Sequence, residues 1–191
     1  MNDSTRYKIL TTSIELFKSK GYDKVSVNEI CKTCNIVKGT FYYNYSSKDQ
    51  LLLDYFFLVN KDINLKIEQI DHSDRWLEKC WQLKKLYLQS LADLGPDMLK
   101  SLLSIDLNNG SRIFDYKLNE YDSIMKMIRE KVIKYTVKAQ RNNELSADAD
   151  PALLSECFAA TLSGIAMKWS SQNGNFSFLD EAHKFFLLIY H

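Results

Sequence analysis

The sequence is poor in the residues that build tight turns, with 2 prolines and 6 glycines among 191 residues. All-β proteins need many such turns, so this scarcity favours an all-α fold. Long apolar runs are absent too: the longest late one covers residues 185–190, far short of the ~18 residues of a membrane-spanning helix. The first residues, M-N-D-S-T-R-Y-K, lack the apolar core of a signal peptide. We therefore expect a cytoplasmic protein with no membrane partner.

The sequence also lacks the patterns of catalytic and metal sites. Its 3 histidines are isolated, and no nucleophile elbow, phosphate-binding loop or carboxylate pair occurs in a supporting context. Cys31-x-x-Cys34 has no second cysteine pair and no histidine pair at zinc-finger spacing, and both thiols fall on the inward face of a helix. We therefore expect reduced, buried thiols, no metal, no cofactor and no enzymatic activity.

The first feature that indicates a function is the uneven distribution of charge along the chain. The chain carries a formal net charge of +1, but residues 1–51 hold 8 Lys and Arg against 5 Asp and Glu, a net charge of +3. The remaining 140 residues carry −2. An N-terminal excess of positive charge suits contact with nucleic acid, although an imbalance this modest only supports a motif.

Helical periodicity and capping signals divide the first third of the chain. Leu10, Ile14 and Phe17 follow an i, i+4, i+7 spacing, which predicts a first helix over about residues 4–20. Ser26, with a glutamate three residues later, forms a capping box that opens a short second helix.

A sharp turn is predicted next, at Asn35, because asparagine tolerates left-handed backbone. A third helix is predicted over 37–45. Ser47 with Gln50 forms another capping box, which opens a fourth helix reaching about residue 70. Short helices joined by a sharp turn are the pattern of a helix-turn-helix.

The rest of the chain reads as one helix after another, giving about nine in all. Apolar stripes and terminators predict helices over about 74–93, 96–105, 113–141 and 151–171, and a last one from residue 177. Gly95-Pro96 separates the first two of these, and Asp150-Pro151 supplies an N-cap and a first-turn proline for the fourth. The expected fold is all-α, with a three-helix helix-turn-helix domain over 1–47 and a larger helical domain over 48–191.

Residues 9–51 resemble the N-terminal domain of TetR-family transcriptional regulators, with matching spacing throughout. The residues that carry the resemblance are Ile9-Leu10, Leu16-Phe17, Gly21-Tyr22, Val25-Ser26-Val27, Glu29-Ile30, Ile36, Lys38-Gly39-Thr40-Phe41-Tyr42-Tyr43, Lys48 and Leu51. Small or turn-tolerant departures from the family pattern occur at Ser13, Cys31, Cys34 and Asn35. Val37 replaces a common serine or threonine at the start of the third helix, and Asn44-Tyr45 replaces a frequent His-Phe pair.

The resemblance implies that the third helix reads DNA, and the residue types suit that task. A lysine in the first turn reaches a guanine edge or a phosphate, and a threonine offers a hydroxyl and a methyl group to base edges. A glycine lets the helix approach the groove closely, and tyrosine hydroxyls reach phosphates. Lysine and free N–H groups at a helix start bind phosphate by charge and dipole. The candidate DNA-binding residues are Ser26, Val37, Lys38, Gly39, Thr40, Tyr42, Tyr43, Asn44 and Lys48; Phe41 and Tyr45 are expected to pack inward.

The same resemblance implies a ligand-sensing second domain and a homodimer formed through the last two long helices. The candidate interface residues are Phe158, Thr161, Leu162, Ile165, Trp169, Phe185, Phe186 and Ile189. The alternative is that these residues form a core within one chain. In such a dimer the two DNA-reading third helices lie about one turn of the DNA helix apart, so the double-stranded operator should be roughly palindromic.

A small-molecule effector is also implied, although the sequence does not name it. Large, polarisable side chains suit flat or apolar ligands. The candidate ligand-binding residues are Trp76, Cys80, Trp81, Tyr87, Met98, Phe114, Tyr121, Met125 and Met167. The expected function is a TetR-like transcriptional repressor that an effector releases from its operator. A regulator controlled by a protein partner without an effector, and a transcriptional activator, remain alternatives.

Overall fold

The computed structural model describes residues 3–60, 66–67, 70, 74–109 and 120–191, and the only regular secondary structure in these ranges is helical. Eight helices are described: α1 (Asp3–Lys20), α2 (Val27–Cys34), α3 (Lys38–Asn44), α4 (Lys48–Asn60), α5 (Trp76–Asn109), α6 (Glu120–Arg141), α7 (Pro151–Ser171) and α8 (Phe178–Ile189). The expected all-α fold is confirmed. Parts of the predicted fourth helix, beyond residue 60, and of the predicted helix at 113–141, before residue 120, lie outside the described residues.

Side-chain caps begin four of the helices where the sequence predicts them. A side-chain oxygen of Ser26, Ser47, Asp150 and Ser177 accepts a backbone N–H two or three residues further on, at 2.9 to 3.3 Å. Such bonds satisfy N–H groups that have no partner inside the helix. The helix starts are therefore fixed by local sequence, which is why they could be predicted closely.

A break at Gly95 divides α5 into two halves. Gly95 has φ +78° and ψ 162°, a backbone conformation that strongly favours glycine, and Pro96 follows it without an N–H to donate. The predicted separation of two helices at this point is confirmed. The second half runs to Asn109, four residues beyond the predicted end at about 105.

Packing links the two predicted domains through α4. α4 contacts α1 on one side and α5 on the other, whereas α5 also packs against α6, α7 and α8. Leu51, Leu52 and Phe56 of α4 are fully buried. α4 therefore belongs to both cores, and the boundary between 1–47 and 48–191 stays a prediction. None of the helices in the described ranges is long and apolar enough to cross a membrane.

Candidate nucleic-acid interface

The turn between α2 and α3 is built by Asn35. Its φ of 53° and ψ of 51° place it in the left-handed region, and its N–H bonds the Lys32 carbonyl at 3.1 Å while that of Ile36 bonds the Cys31 carbonyl at 2.9 Å. These bonds close the end of α2 and redirect the chain. Cys31 and Cys34 are buried in this module, as expected, and burial raises the pKa of the Cys31 thiol.

α3 has one buried face and one exposed face. Phe41 and Tyr45 are buried, so the predicted inward packing is confirmed. On the opposite side Tyr43 is 76% and Val37 72% exposed, and Tyr42 is also exposed, with its ring edge-on to Phe41 at 5.3 Å. Exposed aromatic and apolar side chains on a helix this short indicate a contact surface rather than a core.

Gly39 and Asn44 shape the exposed face in different ways. A Cβ built at Gly39 meets nothing within 4 Å, so neither backbone conformation nor packing inside the chain demands glycine there. Asn44 is half-buried and donates from Nδ2 to the Thr40 carbonyl at 2.7 Å. This bond holds the Asn44 amide along the helix. Gly39 therefore leaves room outside the protein, whereas Asn44 reinforces the end of α3.

Arg6 of α1 holds the end of α3 in place, a role that no sequence pattern predicts. Its guanidinium donates to the Asn44 carbonyl at 3.2 Å and to Asp54 Oδ2 at 2.5 Å, and it lies 4.7 Å from the centre of the Tyr45 ring. The Tyr45 hydroxyl donates back to the Arg6 carbonyl at 3.1 Å. The hydrogen bond to Asp54 raises the pKa of Arg6, and burial raises the pKa of Tyr45. Arg6 thus ties the end of α3 to α4.

Lys48 also has a structural task at the start of α4. Its ammonium donates to the carbonyls of Tyr22 and Val25 at 2.8 and 3.2 Å and lies 4.0 Å from the centre of the Tyr22 ring. The Tyr22 hydroxyl donates to the Asp49 carboxylate, and burial followed by this bond raises the pKa of Tyr22. Two of the three Lys48 donors therefore face protein carbonyls, and its phosphate contact stays a prediction.

Ser26 is exposed at the start of α2, where it caps the helix. Its Oγ accepts the Glu29 N–H at 3.2 Å, while the Glu29 carboxylate pairs with Lys20 instead of returning to Ser26. Only one half of the predicted capping box therefore forms. The exposed hydroxyl hydrogen leaves Ser26 able to donate to a phosphate.

Tyr22 connects the helix-turn-helix module to the second half of α5. Its N–H donates to Asp97 Oδ2 at 3.3 Å. The neighbouring Gly21 has φ +87°, and a Cβ there would lie 3.2 Å from the same oxygen. Tyr22 is thus bonded to α5 through its N–H and to α4 through its carbonyl and hydroxyl.

Comparison with known proteins identifies the helix-turn-helix module. The sequence profile of the tetR family of bacterial regulatory proteins matches residues 9–55, the segment that runs from α1 into α4. Residues 9–55 are a TetR-family N-terminal domain.

Two curated relatives and one solved structure extend the likeness over most of the chain. An uncharacterised HTH-type transcriptional regulator of Bacillus subtilis, YuxN, is 31% identical over 153 residues, which is 78% of this chain and 49% of that protein. IcaR of Staphylococcus epidermidis, a negative transcriptional regulator of the biofilm operon icaADBC, is 28% identical over 60% of this chain and 68% of its own length. The chain thus spans about half the length of YuxN.

FadR of Thermus thermophilus, a TetR-family transcriptional repressor crystallised with lauroyl-CoA, has a TM-score of 0.65 at 17% identity, covering 96% of this chain and 92% of that one. At this identity the likeness concerns the fold alone.

Most of the predicted interface residues lie inside the single chain, so their place in a dimer interface stays a prediction. Phe158, Leu162, Ile165, Trp169 and Phe186 are buried within the single chain. The Phe158 ring faces α5, with Lys84 Nζ 4.3 Å from its centre, and stacks edge-on with Phe186 at 5.9 Å. A side chain already buried has little surface left for a partner. Of the remaining three, Phe185 is exposed, and Thr161 and Ile189 are half-buried.

A different face of the last two helices is exposed and largely apolar. The residues of this exposed stripe are Leu153, Cys157, Ala160, Gly164 and Met167 on α7 and Phe185 and Leu188 on α8. On α7 they recur at alternating intervals of four and three, the spacing of a helix face that packs on another helix. Met167 is 56% and Leu188 73% exposed.

The predicted ligand residues do not gather around one cavity in the described part of the chain. Cys80 is buried against the Val132 carbonyl at 3.6 Å, and burial raises its pKa to about 11. Trp81 stacks on His183 at 4.3 Å. Met167 lies on the exposed stripe, outside the core.

The other predicted ligand residues are also dispersed. The Trp76 ring lies beneath the ammonium groups of Lys79 and Lys138, at 4.5 and 3.9 Å. Tyr87 packs near Phe56, and Met98 is buried. Phe114 and the side chains of Tyr121 and Met125 lie outside the described residues, so the ligand assignments stay predictions.

Proposed function

We propose that this chain is a homodimeric transcriptional repressor that binds a DNA operator and is released from it by a small-molecule effector. The observation that carries the proposal is the two-faced α3, which exposes Val37, Lys38, Tyr42 and Tyr43 while Phe41 anchors it. The similarity to IcaR, a negative transcriptional regulator, supports repression. The complex of Thermus thermophilus FadR with lauroyl-CoA supports an effector.

The proposed reading face combines base and phosphate contacts. Lys38 and Thr40 reach base edges, and the open space over Gly39 lets the helix axis come close to the groove. Tyr42, Tyr43 and Ser26 reach phosphates, as do the first N–H groups of α4. Val37 offers a methyl surface where relatives of this fold commonly carry a hydroxyl, so it favours an apolar neighbour such as a thymine methyl group.

The proposed dimer forms through the exposed stripe of α7 and α8. A two-fold axis pairs the same stripe from each chain, and the small residues Ala160 and Gly164 let the helices approach. Effector binding then favours a conformation in which the two readers no longer match successive major grooves. This is a population shift, and the effector must bind the released conformation more tightly.

Selection and sequencing of bound DNA fragments tests the reading function first. We expect a roughly palindromic site, and Lys38→Ala and Tyr42→Ala should each lower affinity for it at least tenfold by fluorescence anisotropy. Lys134→Ala, at an exposed position on α6, is the matched control and should bind as the wild type does. Unchanged affinity in both reader variants would show that α3 does not read the DNA.

Native cysteines make the dimer face testable. Cys157 is exposed on the stripe, whereas Cys31, Cys34 and Cys80 are buried. Sedimentation should give a dimer at micromolar concentration, and dimerisation should slow maleimide labelling of Cys157 or allow a short bis-maleimide to join two chains. Cys157→Ser is the control for both thiol assays. A monomer at that concentration, or a dimer whose Cys157 labels as fast as a free thiol and never cross-links, contradicts this interface.

A further inference from the structure

A cavity of about 330 Å³ lies where the DNA-binding module meets α5. Lys18 of α1, Tyr55 and Asn60 of α4, and α5 residues between Leu86 and Leu94 form its walls. This volume falls at the lower end of the range for small-molecule sites. None of the predicted ligand-binding residues whose side chains the structure describes lines it. The cavity touches two helices that hold the reader and one helix of the second module.

The charges around this cavity favour an anion. Lys18 and Lys66 line it, and Asp93 is the one acidic residue in its described lining. Asp93 accepts a hydrogen bond from Gln89 Nε2 at 2.7 Å. Lys18 Nζ lies 5.7 Å from the centre of the Tyr55 ring, and among the described residues no carboxylate pairs with Lys18 or Lys66. Lys18 and Lys66 carry two positive charges and Asp93 carries one negative charge, so the described lining has a net positive charge.

The rest of the lining mixes apolar side chains with uncharged polar ones, and one of the polar atoms has no hydrogen-bond partner among the described residues. Tyr55, Leu86 and Leu94 present ring and methyl surface to the cavity. Asn60 is 1% exposed; its Nδ2 donates to the Phe56 carbonyl at 2.7 Å, but its buried Oδ1 accepts no hydrogen bond from the described part of the chain. A buried oxygen without a donor weakens packing locally. The wall around Asn60 is therefore a place where an occupant with a hydroxyl or N–H gains a contact.

We propose that this cavity binds a small amphipathic monoanion, with its acid group between Lys18 and Lys66 and its apolar body along Tyr55, Leu86 and Leu94. The binding claim stands on the cavity itself, and only its regulatory consequence rests on the proposed function. Because α1, α4 and α5 all line the cavity, an occupant wedges between the reader module and the second module. Occupancy thereby shifts the position of α4 relative to α5. In the proposed dimer this shift also changes the distance between the two α3 helices.

Three probes of one chain length separate charge from hydrophobicity: octanoate, octan-1-ol and octylammonium. Isothermal titration of the DNA-free protein should give saturable binding of octanoate, at least tenfold tighter than either of the other probes. The variant Lys18→Glu/Lys66→Glu should weaken octanoate binding at least tenfold, because it replaces two attractive charges with repulsive ones. Lys100→Glu, an exposed charge change on the second half of α5, is the matched control and should leave binding unchanged.

A steric variant then locates the site. Gln89 is exposed at the cavity wall, so Gln89→Trp obstructs the cavity without disturbing the core, and it should abolish octanoate binding. Equal affinities for the three probes, or octanoate binding that survives both the charge and the steric variants, would overturn the proposal. DNA anisotropy with and without octanoate reports the regulatory consequence separately: tight octanoate binding with no operator binding at all would refute the repressor function and leave the site standing.

Discussion

Lys84 places an ammonium group in the core of the second module without a counter-charge. It is buried on α5, 4.3 Å from the centre of the Phe158 ring and 5.4 Å from that of Tyr190, and no described residue offers it a carboxylate. Loss of hydration lowers the pKa of Lys84 from 10.5 to about 7, a shift that the neighbouring Cys80 only partly offsets. The two ring faces favour the charged form, but they do not replace water.

The sign of the resulting pH dependence follows from proton binding. Between about pH 7 and pH 10.5 the unfolded chain holds a proton on Lys84 that the folded chain has released, so stability rises with pH through this window. Each pH unit is worth about 1.4 kcal/mol where the difference is complete. From pH 7 to pH 9 the folded protein should therefore gain about 2 kcal/mol relative to a variant that lacks the amine.

Lys84→Met removes the ionisable group and keeps an unbranched side chain of similar length. We expect Lys84→Met to be more stable than the wild type at pH 7, with a difference that shrinks by about 2 kcal/mol at pH 9. Urea unfolding at both pH values measures it, and comparing variant with wild type cancels the titration of other groups. Lys85→Met, at the exposed neighbouring position, should show no such change. A stability difference for Lys84→Met that stays constant from pH 7 to pH 9 would refute the reasoning.

Further changes probe the reader, the interface and the link between modules. Gly39→Ala should stabilise the fold by about 0.5–1 kcal/mol in thermal unfolding, because Ala favours a helix and its Cβ meets nothing within 4 Å. The same change should weaken operator binding. Equal DNA affinity would show that DNA does not approach that face of α3. Arg6→Gln should lower the free energy of unfolding by about 1 kcal/mol or less, as expected for an exposed ion pair. It should lower DNA affinity more than tenfold, because it frees the end of α3. A loss of stability without a loss of DNA affinity would show that Arg6 does not position α3 for binding. Met167→Glu should shift sedimentation from dimer to monomer, whereas the matched Lys134→Glu should not; a dimer in both would remove Met167 from the interface. Asp97→Ala should leave effector binding intact while reducing effector-driven release of DNA, and full release in this variant would show that the bond to the α1–α2 loop is not needed for coupling.

The helix-turn-helix module could be predicted from the sequence because the contacts that set its helix ends are local. Ser26, Asn35 and Ser47 fix helix ends through bonds to residues within four positions, and the 3.6-residue repeat separates Phe41 from Tyr42 and Tyr43. The Arg6 clamp is different in kind, because it joins residue 6 to residues 44 and 54. One exposed arginine in a charged N-terminal segment carries no signal for so distant a partner.

The sequence alone does not decide which residues of α7 form an interface, because α7 is apolar on both sides. Phe158 and Ile165 form one stripe, and Leu153 and Met167 form another, with similar spacing and similar hydrophobicity. Periodicity shows that a helix has apolar faces, but which face meets α5 depends on the packing of the rest of the chain. The sequence favours the larger, aromatic stripe as the interface, whereas within the single chain this stripe packs in the core around Lys84 and Trp81.

Tyr22 is the point at which local and distant contacts combine. Its carbonyl and hydroxyl bind the first turn of α4, and its N–H binds Asp97 just beyond the Gly95 break in α5. Next to Asp97, Pro96 faces the segment after α7: a Cβ at Gly174 would lie 3.2 Å from Pro96 Cγ and 3.5 Å from the Trp169 ring, so the same turn of α5 also touches the end of α7. A rotation of α5 at Gly95 would therefore move two sets of groups together: those bonded to the helix-turn-helix module and those packed against the end of α7. Packed cores switch between discrete arrangements rather than deforming smoothly. We therefore propose that this junction couples the spacing of the reading helices in the proposed dimer to the second module, without any contact between effector and DNA.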